Sequence, residues 1–365
     1  MEGKYSNRVR YLAVKASRFI LRSVLWPLVR WKPLREAEEG YTVIIGAVTK
    51  LAPLALANLE ALSSQKMDHL SQIIVVFDSV RKKEHRDLEE QIALRLPHLP
   101  VKFYYYSRLQ HQVSRIINWG WVYAWMSWTI GISHCKSQHA ILHDLDALLI
   151  EPSALERRYS AIIERKDNFI GIRWYAGNGI LSEDHLATTF EMIFDATYVR
   201  GHFKPLDVFN HVRKYKGRRV DFDTFLYVQS QSEGRSVLLI DGNQMLHPSQ
   251  MLCHYTYYVG RKNWIPGEDN TLLMIPYYLF LAGDEQTMQQ VTTAITNGNS
   301  RFLPLFKKTM DARNLAEPWA AWVREQIERF EVSKRGNVHP SVAQFLNAID
   351  ELTERAMNDQ SSAVS

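Results

Sequence analysis

Only two cysteines occur in 365 residues, Cys135 and Cys253, far apart and without metal-finger spacing. That argues against a disulfide framework and makes a reduced, cytosolic protein the economical reading. No run of about 18 uncharged apolar residues exists, so a spanning helix is not expected. Neither sign of charge dominates: 44 Lys plus Arg against 39 Asp plus Glu leave a formal +5. Such a balance speaks against nucleic acid as a partner and suits an anionic substrate or surface. There is no internal repeat, and the one low-complexity stretch is the small polar end, 359–365, which reads as a disordered tail. What is present is a chain with 46% hydrophobic residues, enough for one large domain with an appendage or for two domains.

The beginning is basic and amphipathic. Residues 7–35 interleave Arg8, Arg10, Lys15, Arg18, Arg22 and Arg30 with Leu12, Phe19, Ile20, Leu25, Trp26 and Trp31. This spacing fits a helix lying on an anionic membrane surface, and equally a terminal helix docked on the protein with a solvated basic face. Arginines interrupt every candidate apolar core of a cleaved signal. Residues 1–40 are therefore set apart as a basic N-terminal segment, peripheral membrane contact through 7–35 being one of its two readings.

From residue 41 short apolar runs alternate with helical stretches. YTVIIGAV (41–48), QIIVVFDSV (72–80), VKFYYYS (101–107) and HAILHDLD (139–146) read as strands, with helical periodicity over 53–65, 83–96 and 113–132. Near-continuous apolar strands alternating with helices predict an α/β fold, a mostly parallel sheet covered on both faces. Ligands of such sheets sit at the carboxyl ends of the strands. Thr49, Asp78 and the pair Asp144/Asp146 fall there, the first two as candidates to bond ribose or base. Further on, 153–166 and 182–199 read as helices, 168–181 as a strand or hairpin broken by glycines, 220–234 as a short helix and 236–241 as a strand. After about 284 the pattern is helical, giving a C-terminal extension over 284–358.

Two carboxylates at i and i+2 just past a strand can both reach one divalent cation. An oxygen-only site of this kind suits Mg2+ or Mn2+, which also take phosphate oxygens and offset the charge of a departing diphosphate. The cluster His134, Cys135, His139, His143 lacks a four-ligand zinc spacing and leads straight into a strand. The Trp-rich stretch 119–132 is apolar all round and reads as a buried helix. The basic run 211–219 is either a solvated face or a hold for acceptor phosphate or lipid headgroups.

The segment LHDLDALLIEPSAL, with its strand, Asp-x-Asp and downstream proline, resembles the nucleotide-sugar segment of GT-A-fold (Rossmann-like) glycosyltransferases, especially the large inverting family 2 type. SRIINWGWVYA resembles that family's helix, supplying Arg115, Asn118, Gly120 and Ala124 in order. The resemblance covers roughly 41–260 and implies a transferase domain over 41–283. It further implies a donor-side loop at Gly177, Asn178 and Gly179, and a general base at Asp223. Asp221 is the rival for that role, because the family's usual Glu-Asp is here Phe222-Asp223. It also implies a late histidine, His254, completing the metal or diphosphate site with Asp144 and Asp146, and Arg115, Asn118 and Asp144 on the donor side. The implied activity is metal-dependent transfer of a sugar from a nucleotide-diphosphate donor to a hydroxyl acceptor; the basic surface and the candidate membrane helix suggest a glycan or lipid-linked acceptor, in cell-envelope polysaccharide synthesis on the cytoplasmic side. A retaining GT-A enzyme, a sugar-nucleotide nucleotidyltransferase and a non-catalytic membrane-associated scaffold are the alternatives. The nucleotidyltransferase needs a glycine-rich basic loop after the first strand, and GAVTKLAPLAL does not supply one.

Overall fold

The computed structural model describes residues 3–240, 244–260, 269–298 and 317–362, with side chains over 3–240, 244–255, 271–298 and 320–355. The chain divides into two units. The first comprises Met1–Ala52, Gln65–Leu145 and Pro152–Ile240; the second comprises Pro53–Ser64, Asp146–Glu151 and Asp241–Ser365.

In the first unit the four apolar runs form β1 (Glu38–Ala47), β2 (Leu70–Phe77), β3 (Val101–Tyr105) and β4 (Ser137–His143). They pair in parallel, β1 between β2 and β4 and β3 outside β2. Residues 41–45 of β1 and 72–77 of β2 are buried without alternation, as expected of a parallel sheet covered on both faces. Past β5 (Leu148–Leu149), which belongs to the second unit, lie the short strands β6 (Phe169–Gly171) and β7 (Ile193–Asp195). β7 inserts antiparallel between β4 and β6. A separate hairpin of β8 (His211–Tyr215) and β9 (Arg218–Phe222) follows, and β10 (Arg235–Val237) closes the far edge beside β6. The order β10-β6-β7-β4-β1-β2-β3 is the mixed, mostly parallel sheet the sequence predicts.

The helices of this unit are α1 (Arg8–Leu25), α3 (Lys83–Arg95), α4 (Arg108–Ile117), α5 (Gly120–His134), α6 (Ala154–Arg165), α7 (Ala196–His202) and α8 (Leu226–Ser230); α2 (Pro53–Leu62) lies in the second unit. The Trp-rich α5 is largely buried and meets β1 closely: a Cβ on Gly131 would stand 2.3 Å from Ile44 Cγ2. Trp125 donates from Nε1 to Pro205 O at 2.7 Å, so its polar edge is satisfied inside the core.

Three stretches differ from the periodicity. The helix expected over 113–132 breaks at Asn118, which caps α4 in the left-handed region at φ 46°. The helix expected over 182–199 is a 3-10 turn, Ser182–Asp184, then β7 and α7. There His185 and Glu191 both take positive φ, and Met192–Phe194 are drawn into the core, a tertiary gain that outweighs helix preference. Residues 220–222 of the expected helix 220–234 belong to β9, so only 226–230 is helical.

The second unit holds α2, β5 paired antiparallel with β11 (Met245–Leu246), and α9 (Met251–Gly260), α10 (Ile275–Leu281), α11 (Glu285–Thr296), α12 (Glu317–Arg335) and α13 (Pro340–Ser362). The C-terminal helices expected from the sequence are present. The last runs to Ser362, into the stretch read as tail, and 363–365 lie outside the described residues. Among the described residues no helix is long and apolar enough to cross a membrane.

Replacing Gly131 by Val forces branched bulk against the stiff, fully buried Ile44. A loss of about 1–3 kcal/mol is expected from overpacking, read by denaturant unfolding.

Candidate functional site

β4 ends at His143, and the chain turns through Leu145 and Asp146 before β5. Within the second unit two buried side chains fix the backbone from Asp146 on: Tyr278 donates its hydroxyl to Asp146 O at 2.6 Å, and Asn58 Nδ2 donates to Ala147 O at 2.8 Å. The Asp146 carboxylate is buried, with His247 Nε2 3.6 Å from its Oδ1. One ligand atom from each of Asp144, Asp146 and His247 falls within 4.8 Å of the others, the one such group found among the described residues. Two carboxylates and an imidazole make a donor set that fits Mn2+ well and Mg2+ through its oxygens.

The histidine in this group is His247, not His254. Pairing of Met245 and Leu246 with Leu149 and Leu148 carries the chain past the Asp146 turn and delivers His247 there. Strands of two residues leave no periodic signal, so sequence reasoning passed His247 over. His254 lies on α9 with Nδ1 3.0 Å from Thr271 Oγ1.

Behind Asp144 stands a buried ionic network. Glu191, fully buried, sits 2.5 Å from His143 Nδ1 through Oε1 and 2.5 Å from Arg158 through Oε2. Asp144 N donates toward Glu191 Oε1 at 3.4 Å. Burial alone pushes the Glu191 carboxyl up, but His143 and Arg158 outweigh it and hold the carboxyl at about 2. Nothing in the local sequence marks Glu191, since its role follows from the left-handed turn at φ 56° that points it under β4.

Thr49 and Asp78 meet at the neighbouring strand ends of β1 and β2. Thr49 N donates to Asp78 Oδ1 at 2.8 Å, and Thr49 Oγ1 donates to Ser79 Oγ at 2.9 Å. Because β1, β2 and β4 are parallel, these residues share the carboxyl edge of the sheet with Asp144. Arg115 is exposed in the last turn of α4. Burial and the Asp78 charge raise the Tyr123 hydroxyl, while a hydrogen bond with Ser114 and the Arg115 charge lower it. Asn118 is an exposed helix cap.

The remaining expected residues form a third group. Gly177, Asn178 and Gly179 make a tight turn, all at positive φ, closed by Gly177 N to Ile180 O and Ile180 N to Gly177 O at 3.0 and 2.9 Å. Asn178 O accepts from Asp221 N at 3.0 Å, and Asn178 Nδ2 donates to Tyr175 OH at 2.8 Å. The N-terminal segment closes over this turn, so a Cβ on Gly179 would stand 2.5 Å from Lys4 N. Asp221 Oδ2 faces Tyr5 OH at 2.9 Å, Lys4 Nζ at 3.3 Å and Arg18 at 3.4 Å. Asp223, just past β9, accepts from Thr224 N at 2.7 Å and Asn210 Nδ2 at 3.2 Å. Burial pushes the Asp223 carboxyl above the usual range, partly offset by those two donors. The two rival acids thus differ in partners: buried Asp221 faces the cations Lys4 and Arg18, while half-buried Asp223 has only neutral donors.

No family model matches this chain, and no curated protein does. Among solved structures, TarS of S. aureus (residues 1–349) in complex with UDP is 11% identical at TM-score 0.37, with 88% of this chain and 92% of that one covered. This chain spans 55% of the TarS chain in another structure of that protein, at 10% identity and TM-score 0.38. Mannosyltransferase PcManGT of Pyrobaculum calidifontis, in complex with GDP-Man and Mn2+, is 12% identical at TM-score 0.38, covering 96% of this chain and 98% of its own. At that level of similarity no activity carries over.

Glu191→Gln removes the negative charge between His143 and Arg158. A destabilisation of about 3–5 kcal/mol is expected from breaking a buried pair, measured by urea unfolding at neutral pH. Since the folded value lies below the unfolded one, this contribution is complete above pH ~4.3 and is lost as pH falls toward about 2.

Proposed function

We propose that the protein is a metal-dependent glycosyltransferase of GT-A type, moving a sugar from a nucleotide-diphosphate donor to a hydroxyl acceptor with inversion. The observation that carries this reading is the Asp144, Asp146, His247 group at the carboxyl edge of a mostly parallel sheet. These three residues would hold Mn2+ or Mg2+, which when bound supplies positive charge for the leaving diphosphate. Thr49 and Asp78, one strand over, suit the ribose or base, with Arg115 as a cation on the same side. The resemblance of roughly 41–260 to the GT-A pattern supports the same assignment and extends it to Asn118 and the Gly177–Gly179 turn.

Chemistry at the acceptor calls for a base. As the acceptor oxygen bonds to the anomeric carbon, the bond from that carbon to the diphosphate oxygen breaks and its electron pair leaves with the diphosphate. The acceptor proton must go to a carboxylate, and a desolvated, raised carboxyl such as Asp223 is suited to take it. Asp221 is less suited, because Arg18, Lys4 and Tyr5 already compensate its charge. A glycan or lipid-linked acceptor of the cell envelope, met on the cytoplasmic side, fits the basic character of the chain.

UDP-type nucleotides are expected to raise the melting temperature only with Mn2+ or Mg2+, and Asp146→Asn to abolish that dependence. Equal stabilisation with and without metal contradicts the reading. Asp223→Asn should remove transfer, followed by product formation, while leaving donor binding intact. Because a base works deprotonated, activity should rise with pH through a carboxyl value above the ordinary ~3.9. A fully active Asp223→Asn removes Asp223 from this role.

A further inference from the structure

The N-terminal helix α1 has two unlike faces. Tyr11, Arg18 and Leu25 are buried against the first unit. Arg22 donates to Phe209 O and Asn210 O at 3.2 Å, and burial brings its guanidinium down to about 10. At about 3.6 residues per turn, the opposite face carries Val9, Leu12, Ala13, Ala16, Ile20 and Val24, with Phe19 at its margin. All of these are exposed, Val9 by 74%, Phe19 by 72% and Ile20 by 65%. Just past the helix end Trp26 is 58% exposed, with the Arg30 guanidinium 5.9 Å from its ring. A helix that buries arginines inward and turns isoleucine and phenylalanine outward reverses the usual pattern of a surface helix, and so large a contiguous apolar stripe marks an interaction surface.

Charge decides the occupant. Between Gly3 and Arg35 there are nine Lys and Arg and no Asp or Glu. The exposed Arg8 and Lys15 border one side of the stripe and Arg10 the other. A second copy seated on this face would set one basic rim against another, which is repulsive. An anionic bilayer instead offers apolar depth for the stripe, phosphate for the rim, and an interfacial level that suits Trp26.

We propose that the outward face of α1, from Val9 to Trp26, is a docking surface for anionic lipid bilayer, on which the helix lies in the interface plane. This goes beyond the transferase reading and stands on the helix alone. The inner face of the same segment holds Asp221 and Asn178 through Lys4, Tyr5 and Arg18, so docking brings the Asp221–Asp223 region to the membrane surface. An acceptor anchored in that membrane would meet it there.

The test is co-flotation of the full chain with phosphatidylcholine–phosphatidylglycerol vesicles and with phosphatidylcholine vesicles alone. Binding to the anionic vesicles is expected, weakening with salt and by roughly tenfold or more on the neutral ones. Phe19→Glu with Ile20→Glu should cut binding by a similar factor while leaving the melting temperature, the helical circular dichroism and nucleotide binding unchanged. No binding of the native chain to anionic vesicles overturns the proposal. So does a double variant that binds like the native chain, or a dimer in light scattering that the double variant splits. Loss of transfer activity with vesicle binding intact strikes the transferase reading and leaves this one standing.

Discussion

Like charge held at close quarters is the constraint on the turn that follows β4. Asp146 is buried, Asp144 stands two residues away, and their carboxylates lie within 4.8 Å of each other and of His247. Two anions this close repel unless one is protonated or a cation compensates them. His247 Nε2 stands 3.6 Å from Asp146 Oδ1. The backbone is nevertheless committed to the arrangement: Tyr278 and Asn58 fix the carbonyls of Asp146 and Ala147, and Glu191 faces the amide of Asp144. Preorganisation of this kind is what a cation site needs, since the cost of gathering the ligands is met during folding.

The same economy recurs in three other acids of the first unit, Glu191 and Asp221 buried and Asp223 half-buried. Glu191 sits between His143 and Arg158, with no exposed surface, and is held ionised. Asp221 is compensated from a distant part of the chain, by Lys4, Tyr5 and Arg18, and its Oδ1 is buried without a hydrogen-bond partner. Asp223, two residues on, has only the neutral donors Thr224 N and Asn210 on its carboxylate and is pushed toward the protonated form. Three acids in one unit thus take three electrostatic states. The contrast between Asp221 and Asp223 is what supports the proposal that the second is the proton acceptor.

What was legible in the sequence follows from physical range. The four parallel strands could be read because burial on both faces leaves continuous apolar runs, and Asp144 and Asp146 because a strand end is marked within a few residues. β7 could not be read: its three residues gain stability only by lying between β4 and β6, a tertiary effect that left 182–199 looking helical. His247 was missed for a related reason, since its approach to Asp146 depends on a two-residue pairing between β5 and β11, whereas His254 had a place in an expected order. Asn118, read as a donor-side position, also caps α4 in the left-handed region, a local role that the residue type favours. The amphipathic pattern of 7–35 was legible, but not which side faces inward, because that depends on the partners Asp221 and Phe209 offer to Arg18 and Arg22.

The most direct test of the central claim, that Asp144, Asp146 and His247 hold a divalent cation for a nucleotide diphosphate, is anomalous diffraction at the manganese edge. The crystals would be grown with Mn2+ and a nucleoside diphosphate. The account predicts a single strong peak bonded to those three side chains and to diphosphate oxygens. A nucleotide bound with no peak there, or a peak held by other residues, contradicts it.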